Sequence, residues 1–237
     1  MTDPIALLKQ IDAHPLLISK NYKLGEKTGW KYLVWRVQRP LIKFHFKIYL
    51  LFNRNTPWLC ITAIEFFKKY LTNEMKGVEF GSGRSTAFFC SRSGFVVSIE
   101  HHKGWYDQVE QKLKNRGVKN VDYRYIPAQL EEEPMELPGF YREWDINEDD
   151  YGFRKKYLNY FNALDDFAPQ FFDYILVDGR ARPECVFTSV SKLKSRGLLV
   201  LDNSERARYS IVFDKLANWK SYTCTSGSTD TTFWIKP

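Results

Sequence analysis

The residues best suited to chemistry lie between Lys76 and Ser85, in the run KGVEFGSGRS. An apolar stretch from Val78 to Phe80 carries Glu79 and meets two glycines spaced by one residue, Gly81 and Gly83, with Ser82 between them. Arg84 then opens a segment of helical character through Ser91. The pattern is a strand, a tight glycine turn and a helix start. Glycine lets the backbone approach a ligand that a side chain would exclude. Free N–H groups at the helix start favour an anionic or polar group. The turn therefore predicts a site for a nucleotide-like cofactor. The dinucleotide fingerprint G-x-G-x-x-G is incomplete, because Thr86 stands at the third glycine, and no G-K-[ST] follows to cradle a triphosphate. A carboxylate at Glu79 would repel a pyrophosphate but suits a ligand ammonium.

Further candidates sit where apolar runs end. Phe95 to Glu100 is one such run, and Glu100 lies 17 residues after Gly83. One strand–helix–strand unit imposes a spacing of about 20 in nucleotide folds. A carboxylate there can accept two hydrogen bonds. His101 and His102 follow at once, and read either as flanks of the ligand or as exposed polar residues. Val121 to Ile126 forms a third run, ending in Pro127-Ala128-Gln129. Phe172 to Asp178 forms a fourth, followed by Gly179-Arg180-Ala181-Arg182. Leu198 to Leu201 forms a fifth, ending in Asp202-Asn203. Arg180 and Arg182 either clamp an anionic or sugar-like substrate or pair with Asp178 and Glu205.

The acid-glycine turn with the second-strand acid resembles the cofactor motifs of class I S-adenosylmethionine-dependent methyltransferases, over roughly residues 75–237. The resemblance implies that Glu79, Gly81, Ser82, Gly83 and Ser85 cradle the methionine part of S-adenosylmethionine. Ser85 stands where the family often has another small residue. Glu100 would bind the ribose hydroxyls, His101 would flank the adenosine, and Ala128 and Gln129 would contact the adenine. Asp178 would face the transferred methyl, with Asp178 and Arg180 as the catalytic candidates. More locally, Asp178 with Asp202 and Asn203 resembles the metal site of the catechol O-methyltransferase group. That implies Mg²⁺ or another divalent cation on three oxygen ligands, lowering the pKa of a substrate hydroxyl. The sequence departs from that group in Gly179-Arg180 and in lacking a clear counterpart of its catalytic lysine.

These positions need a scaffold. Strands and helical segments alternate from Met75 onward, which predicts an α/β fold: a doubly wound, mostly parallel seven-stranded sheet with a reversed edge strand; the resemblance implies that this is the Rossmann-like methyltransferase fold. Ligands bind at the carboxyl ends of such strands, where Glu79, Glu100, Gln129, Asp178 and Asp202 all fall. Helices are expected from about Pro57 to Leu71, from Trp105 to Arg116, from Arg154 to Ala168, from Pro183 to Leu193 and from Tyr209 to Asn218. The strands at 221–225 and 231–235 form a closing hairpin. Trp105 and Tyr106 read as core aromatics rather than adenine partners.

The 237 residues divide into a basic extension, 1–57, packed on a cofactor-binding domain, 58–237. The extension holds ten Lys/Arg and three Asp/Glu, so it accounts for the whole net charge of +7. Its segment Trp30 to Phe52 reads as helix broken at Pro40. An acidic insertion at 130–153, with nine acids and one arginine between Glu131 and Asp150, predicts a long loop. It would serve as a lid, a solvated surface, or a partner for the extension. Four scattered cysteines and no signal-like N-terminus point to a cytoplasmic protein with reduced thiols. Peripheral membrane contact through the extension remains open, and no nucleic-acid-binding motif stands out.

The chain thus reads as a methyltransferase acting on an oxygen of a small-molecule or glycan-like acceptor, with or without a metal. The rival readings are a nicotinamide-dependent oxidoreductase and a non-catalytic binding protein on the same fold. Oligomeric state is not encoded in any motif.

Overall fold

A computed structural model describes residues 3–12, 28–53, 55–129, 139–146 and 154–237. Most of the acidic insertion, and with it the expected lid or contact with the extension, lies outside those residues.

Seven strands form one sheet in the order β3-β2-β1-β4-β5-β7-β6. They are β1 (Lys76–Phe80), β2 (Phe95–Glu100), β3 (Val121–Tyr125), β4 (Phe172–Val177), β5 (Leu193–Asp202), β6 (Lys220–Thr225) and β7 (Asp230–Ile235). The first five run parallel, and β7 runs antiparallel to both β5 and β6 at that edge. The central strands are apolar on both faces, as a parallel sheet covered on both sides requires. Alternate residues feed two cores. Val78, Phe80, Val97, Ile99, Ile175 and Val177 point into one; Val96, Tyr174, Leu176, Leu198 and Val200 point into the other.

The first core is closed by α6 (Phe140–Glu143), α7 (Leu158–Phe161), α8 (Arg182–Ser189) and α9 (Ser210–Lys215). The second is closed by α1 (Pro4–Asp12), α3 (Ile61–Tyr70) and α4 (Arg84–Cys90). Helix α5 (Lys103–Asn115) links β2 to β3, buries Val109 and Leu113, and ends before Gly117 in the left-handed region. All four cysteines are buried free thiols.

Several expected boundaries move, each for a local reason. Helix α3 starts at Ile61 rather than near Pro57, because the Thr56 hydroxyl donates backward to the Asn53 carbonyl at 2.7 Å. The helix expected over 154–168 shrinks to a 3₁₀ turn at Lys155–Tyr157 followed by α7. Its continuation is captured by Arg124, which donates to the Ala163 carbonyl at 2.6 Å and pairs with Asp166 at 2.7 Å. Part of the acidic insertion is ordered against the first core, since Phe140, Tyr141 and Ile146 are buried there. Strand β5 begins five residues early, pairing Leu193 with Phe172 across a bulge.

Residues 29–52 form one helix, α2 (Gly29–Phe52), continuous through Pro40. Proline removes a single helical hydrogen bond, to the carbonyl four residues back. That residue is Arg36, which is exposed, so its carbonyl is not an orphaned buried group.

Candidate functional site

The carboxyl ends of β1, β2 and β4 open onto a cleft of about 450 Å³. Its floor is set by two glycines. Gly81 has φ +96°, and a Cβ there would stand 2.7 Å from the Gly179 Cα. The turns after β1 and β4 therefore touch backbone to backbone. Gly81→Ala meets both the strained φ and this contact. On the cofactor reading that the sequence resemblance implies, it is expected to abolish S-adenosylhomocysteine binding while the sheet stays folded, as read by calorimetry and circular dichroism. Near-native affinity would show that the turns need not touch.

Glu100 organises the next part of the floor. Its Oε2 accepts from the Ser82 amide at 3.1 Å and the Ser82 hydroxyl at 3.0 Å. Its Oε1 accepts from the amides of His101 and His102 at 2.9 and 2.8 Å. Burial works to raise the Glu100 pKa, but His101, the His102 amide and Ser82 outweigh it and hold the carboxyl below its usual range. Glu100 is thus a fixed anion at the cleft wall. Trp105 stands beside it, half exposed, with its indole N–H donating to the Ser82 carbonyl at 2.7 Å. The expectation that Trp105 packs in the core is corrected: this hydrogen bond turns its ring along the cleft. Tyr106 instead stacks on Tyr123, with centroids 4.4 Å apart.

Glu79 lies behind the turn with no exposed surface. Its Oε2 accepts from Thr86 and Ser98, each at 2.7 Å, while the Thr86 hydroxyl accepts from the Gly83 amide at 3.0 Å. Burial pushes its pKa up to about 7, against the hydroxyls of Ser85, Thr86 and Ser98. Glu79 thereby fastens the glycine turn to β2 from below. Gly83 and Ser85 also stand outside the cleft lining, whereas Gly81, Ser82, Glu100 and His101 are in it. Ala128 and Gln129 are set apart from it. The Gln129 amide donates to the Lys156 carbonyl, and its side-chain oxygen accepts from the Asn159 amide.

Asp178 and Asp202 come together at the ends of β4 and β5, around the buried guanidinium of Arg182. Arg182 bonds the Asp178 carboxylate at 2.8 Å, the carbonyls of Asp178 and Gly179 at 2.8 and 3.0 Å, and the Asp202 carbonyl. Asp202 Oδ1 also accepts from the Thr231 hydroxyl at 2.8 Å. Burial raises both carboxyls: Asp178 is pushed up to about 6, and Asp202, also facing the Asp178 charge, is held well above the usual carboxylate range. The two hold a proton between them more readily than isolated carboxylates do.

These residues do not fit the divalent cation that the sequence suggested. The Asp178 carboxylate is already paired with the Arg182 guanidinium, which also bonds the Asp202 carbonyl, and Asn203, in the left-handed region at φ 50°, accepts from Arg206 through its side-chain oxygen. No group of three or more His, Cys, Asp or Glu suited to a metal occurs among the described residues.

The outer wall is basic. Arg154, Arg180, Arg206 and Arg208 line it with Tyr209. Arg180 Nε reaches His101 Nε2 at 3.4 Å. The alternative pairing of Arg182 with Asp178 is what the structure holds, while Glu205 accepts instead from the Asp230 amide at 2.9 Å. Arg154, Arg206, Arg208 and Tyr209 were not singled out from sequence. Arg206 and Arg208 could have been found by the logic that found Asp202, since they occupy the loop leaving the same strand end.

No protein-family model matches the sequence, and no curated protein matches it significantly. Solved structures do. A protein of Streptococcus mutans, provisionally assigned as a methyltransferase and crystallised in complex with SAH, superposes with a TM-score of 0.50 at 9% identity. The match covers 73% of this chain and 94% of that one. A precorrin-6y C5,15-methyltransferase of Geobacter metallireducens gives 0.49 at 15% identity, over 77% and 93% of the two chains. An rRNA methylase of Streptococcus thermophilus gives 0.48 at 12% identity, over 73% and 92%. The strand order, the reversed β7 and the cleft at the β1–β4 junction agree with the likeness: this chain has the fold of the class I S-adenosylmethionine-dependent methyltransferases.

Proposed function

We propose that this protein is a metal-independent, S-adenosylmethionine-dependent methyltransferase. It acts on an oxygen of a small-molecule or glycan-like acceptor that carries a phosphate or carboxylate. The observation that carries the reading is one cleft holding both a cofactor-type floor (Gly81, Ser82, Glu100) and a strand-end carboxylate, Asp178, under a rim of arginines.

When bound, S-adenosylmethionine supplies an electrophilic methyl on a sulfonium. The Gly81–Ser82 backbone allows close approach, and the Glu100 carboxylate offers acceptors to ribose hydroxyls. Trp105 shields one side of the cleft from water. Asp178 accepts the proton of the acceptor hydroxyl, making the oxygen a better nucleophile. Arg182 keeps that carboxyl in place, and Arg180, Arg206 and Arg208 hold the acceptor's anionic group by charge-assisted bonds. Positioning of this kind supplies much of the rate.

Calorimetric titration with S-adenosylhomocysteine tests the cofactor assignment. Micromolar binding that is lost in Glu100→Ala, and is unchanged by Mg²⁺ or EDTA, is the expected result. Well-folded protein that ignores S-adenosylhomocysteine but takes up NADH would replace this reading with the oxidoreductase one.

A further inference from the structure

Helix α2 presents two unlike faces. On one, Trp35, Ile42, Phe46 and Tyr49 are half-buried against the body. The Trp35 indole N–H donates to the Gly227 carbonyl, and the Tyr49 hydroxyl donates to Glu65 Oε1 at 2.6 Å. The opposite face is apolar and open. Trp30, Leu33, Val37, Leu41, Phe44 and Leu51 are exposed by between 60% (Leu51) and 79% (Val37). On a helix turning about 100° per residue, these six share one narrow stripe. The helix buries no residue fully.

Charge says what covers this stripe. The helix carries five basic residues, Lys31, Arg36, Arg39, Lys43 and Lys47, and no acid. Arg36, Lys43 and Lys47, at intervals of seven and four, form a row along one flank of the stripe, and Lys31 sits on the other. Two copies laid stripe to stripe would set these rows side by side with no carboxylate between them. An anionic lipid surface instead meets both needs. Acyl chains take the apolar stripe while the lysine and arginine stems carry their charges up to the headgroups. Trp30 and Phe52, 70% and 81% exposed, place aromatics at both ends. No described helix is long and apolar enough to cross a membrane; α2 would lie in the interface.

We infer that α2 docks the protein on membranes bearing anionic phospholipids, with the Trp30-to-Leu51 stripe in the acyl boundary and the basic row against the headgroups.

Full-length protein is to be sedimented with vesicles of phosphatidylcholine and phosphatidylglycerol in equal parts, and with vesicles of phosphatidylcholine alone. Binding to the mixed vesicles, weakened by about 1 M salt and far weaker on phosphatidylcholine alone, is expected. Lys43→Gln with Lys47→Gln should lower partitioning on the order of thirtyfold, and Val37→Asp with Phe44→Asp should abolish it. All four side chains are exposed, so the circular dichroism and S-adenosylhomocysteine affinity of both variants should stay native. Failure of the wild-type protein to bind the mixed vesicles would overturn the inference, as would binding that both variants retain. A lipid-free dimer that Val37→Asp with Phe44→Asp turns to monomer would also overturn it and assign the stripe to a second copy.

Discussion

Replacing Arg182 with alanine is expected to cost about 3 to 5 kcal/mol of stability, the range for removing one partner of a buried ion pair. For a chain of this size that is a fall in Tm of roughly 10 °C. The argument rests on what Arg182 leaves behind. Asp178 and Asp202 would face each other without their cation, and the carbonyls of Asp178, Gly179 and Asp202 would lose their donor. The pH dependence has a definite sign. Both carboxyls have pKa values raised above those of the unfolded chain. The native state therefore binds more protons from about pH 4 to at least about 6, and stability falls as pH rises through that window. Without Arg182 the carboxyl pKa values rise further, so the loss at neutral pH deepens and acidification partly restores the fold. Pairing Arg182→Met with Asp202→Asn removes the repulsion and should recover part of the loss. A melting curve for Arg182→Ala that matches wild type at pH 7 would refute this account.

The second large effect is on rate. Asp178→Asn is expected to lower kcat by about 10² to 10⁴, the usual contribution of a positioned general base. S-adenosylhomocysteine affinity should stay unchanged, because Gly81, Ser82 and Glu100 are intact. The wild-type rate should fall as pH drops through about 6, where Asp178 takes up its proton. The assay needs an acceptor, found by screening phosphorylated and carboxylated hydroxy compounds for S-adenosylhomocysteine release. An Asp178→Asn enzyme with an undiminished rate would remove Asp178 from the chemistry. Loss of S-adenosylhomocysteine binding in that variant would make it a structural residue.

The parts of this molecule legible in sequence are those governed by short-range rules. Val78–Phe80 followed by two glycines, and Phe95–Glu100 at the spacing of one strand–helix–strand unit, located β1, β2 and the cleft floor. Strand ends were also legible, because an apolar run stops at an acid. Helix ends were not. Residues 154–168 carry a helical pattern, yet Arg124, 39 residues before Ala163, captures the Ala163 carbonyl and stops the helix. The metal site failed for a similar reason. Asp178, Asp202 and Asn203 have the right residue types, but only three-dimensional geometry shows that Arg182 already pairs with the Asp178 carboxylate and that Arg206 takes the Asn203 side-chain oxygen. Pro40 was read as a break because its missing donor is a local fact, whereas the exposure that makes it harmless is not.

The order of strands has a consequence for how the chain finds its structure. β1, β2 and β3 pair with neighbours close in sequence, and so do β4 through β7. The seam between the two halves is β1 against β4, where the Lys76 amide meets Asp173 across 97 residues of chain. Closing so long a loop costs more entropy than any pairing within a half, and non-local contacts of this kind slow folding. The Gly81–Gly179 contact lies on that same seam, and the cleft beside it is lined by Glu100 from one half and Asp178 from the other. The cleft is therefore assembled only when the halves join, so recovery of S-adenosylhomocysteine binding during refolding would time that joining.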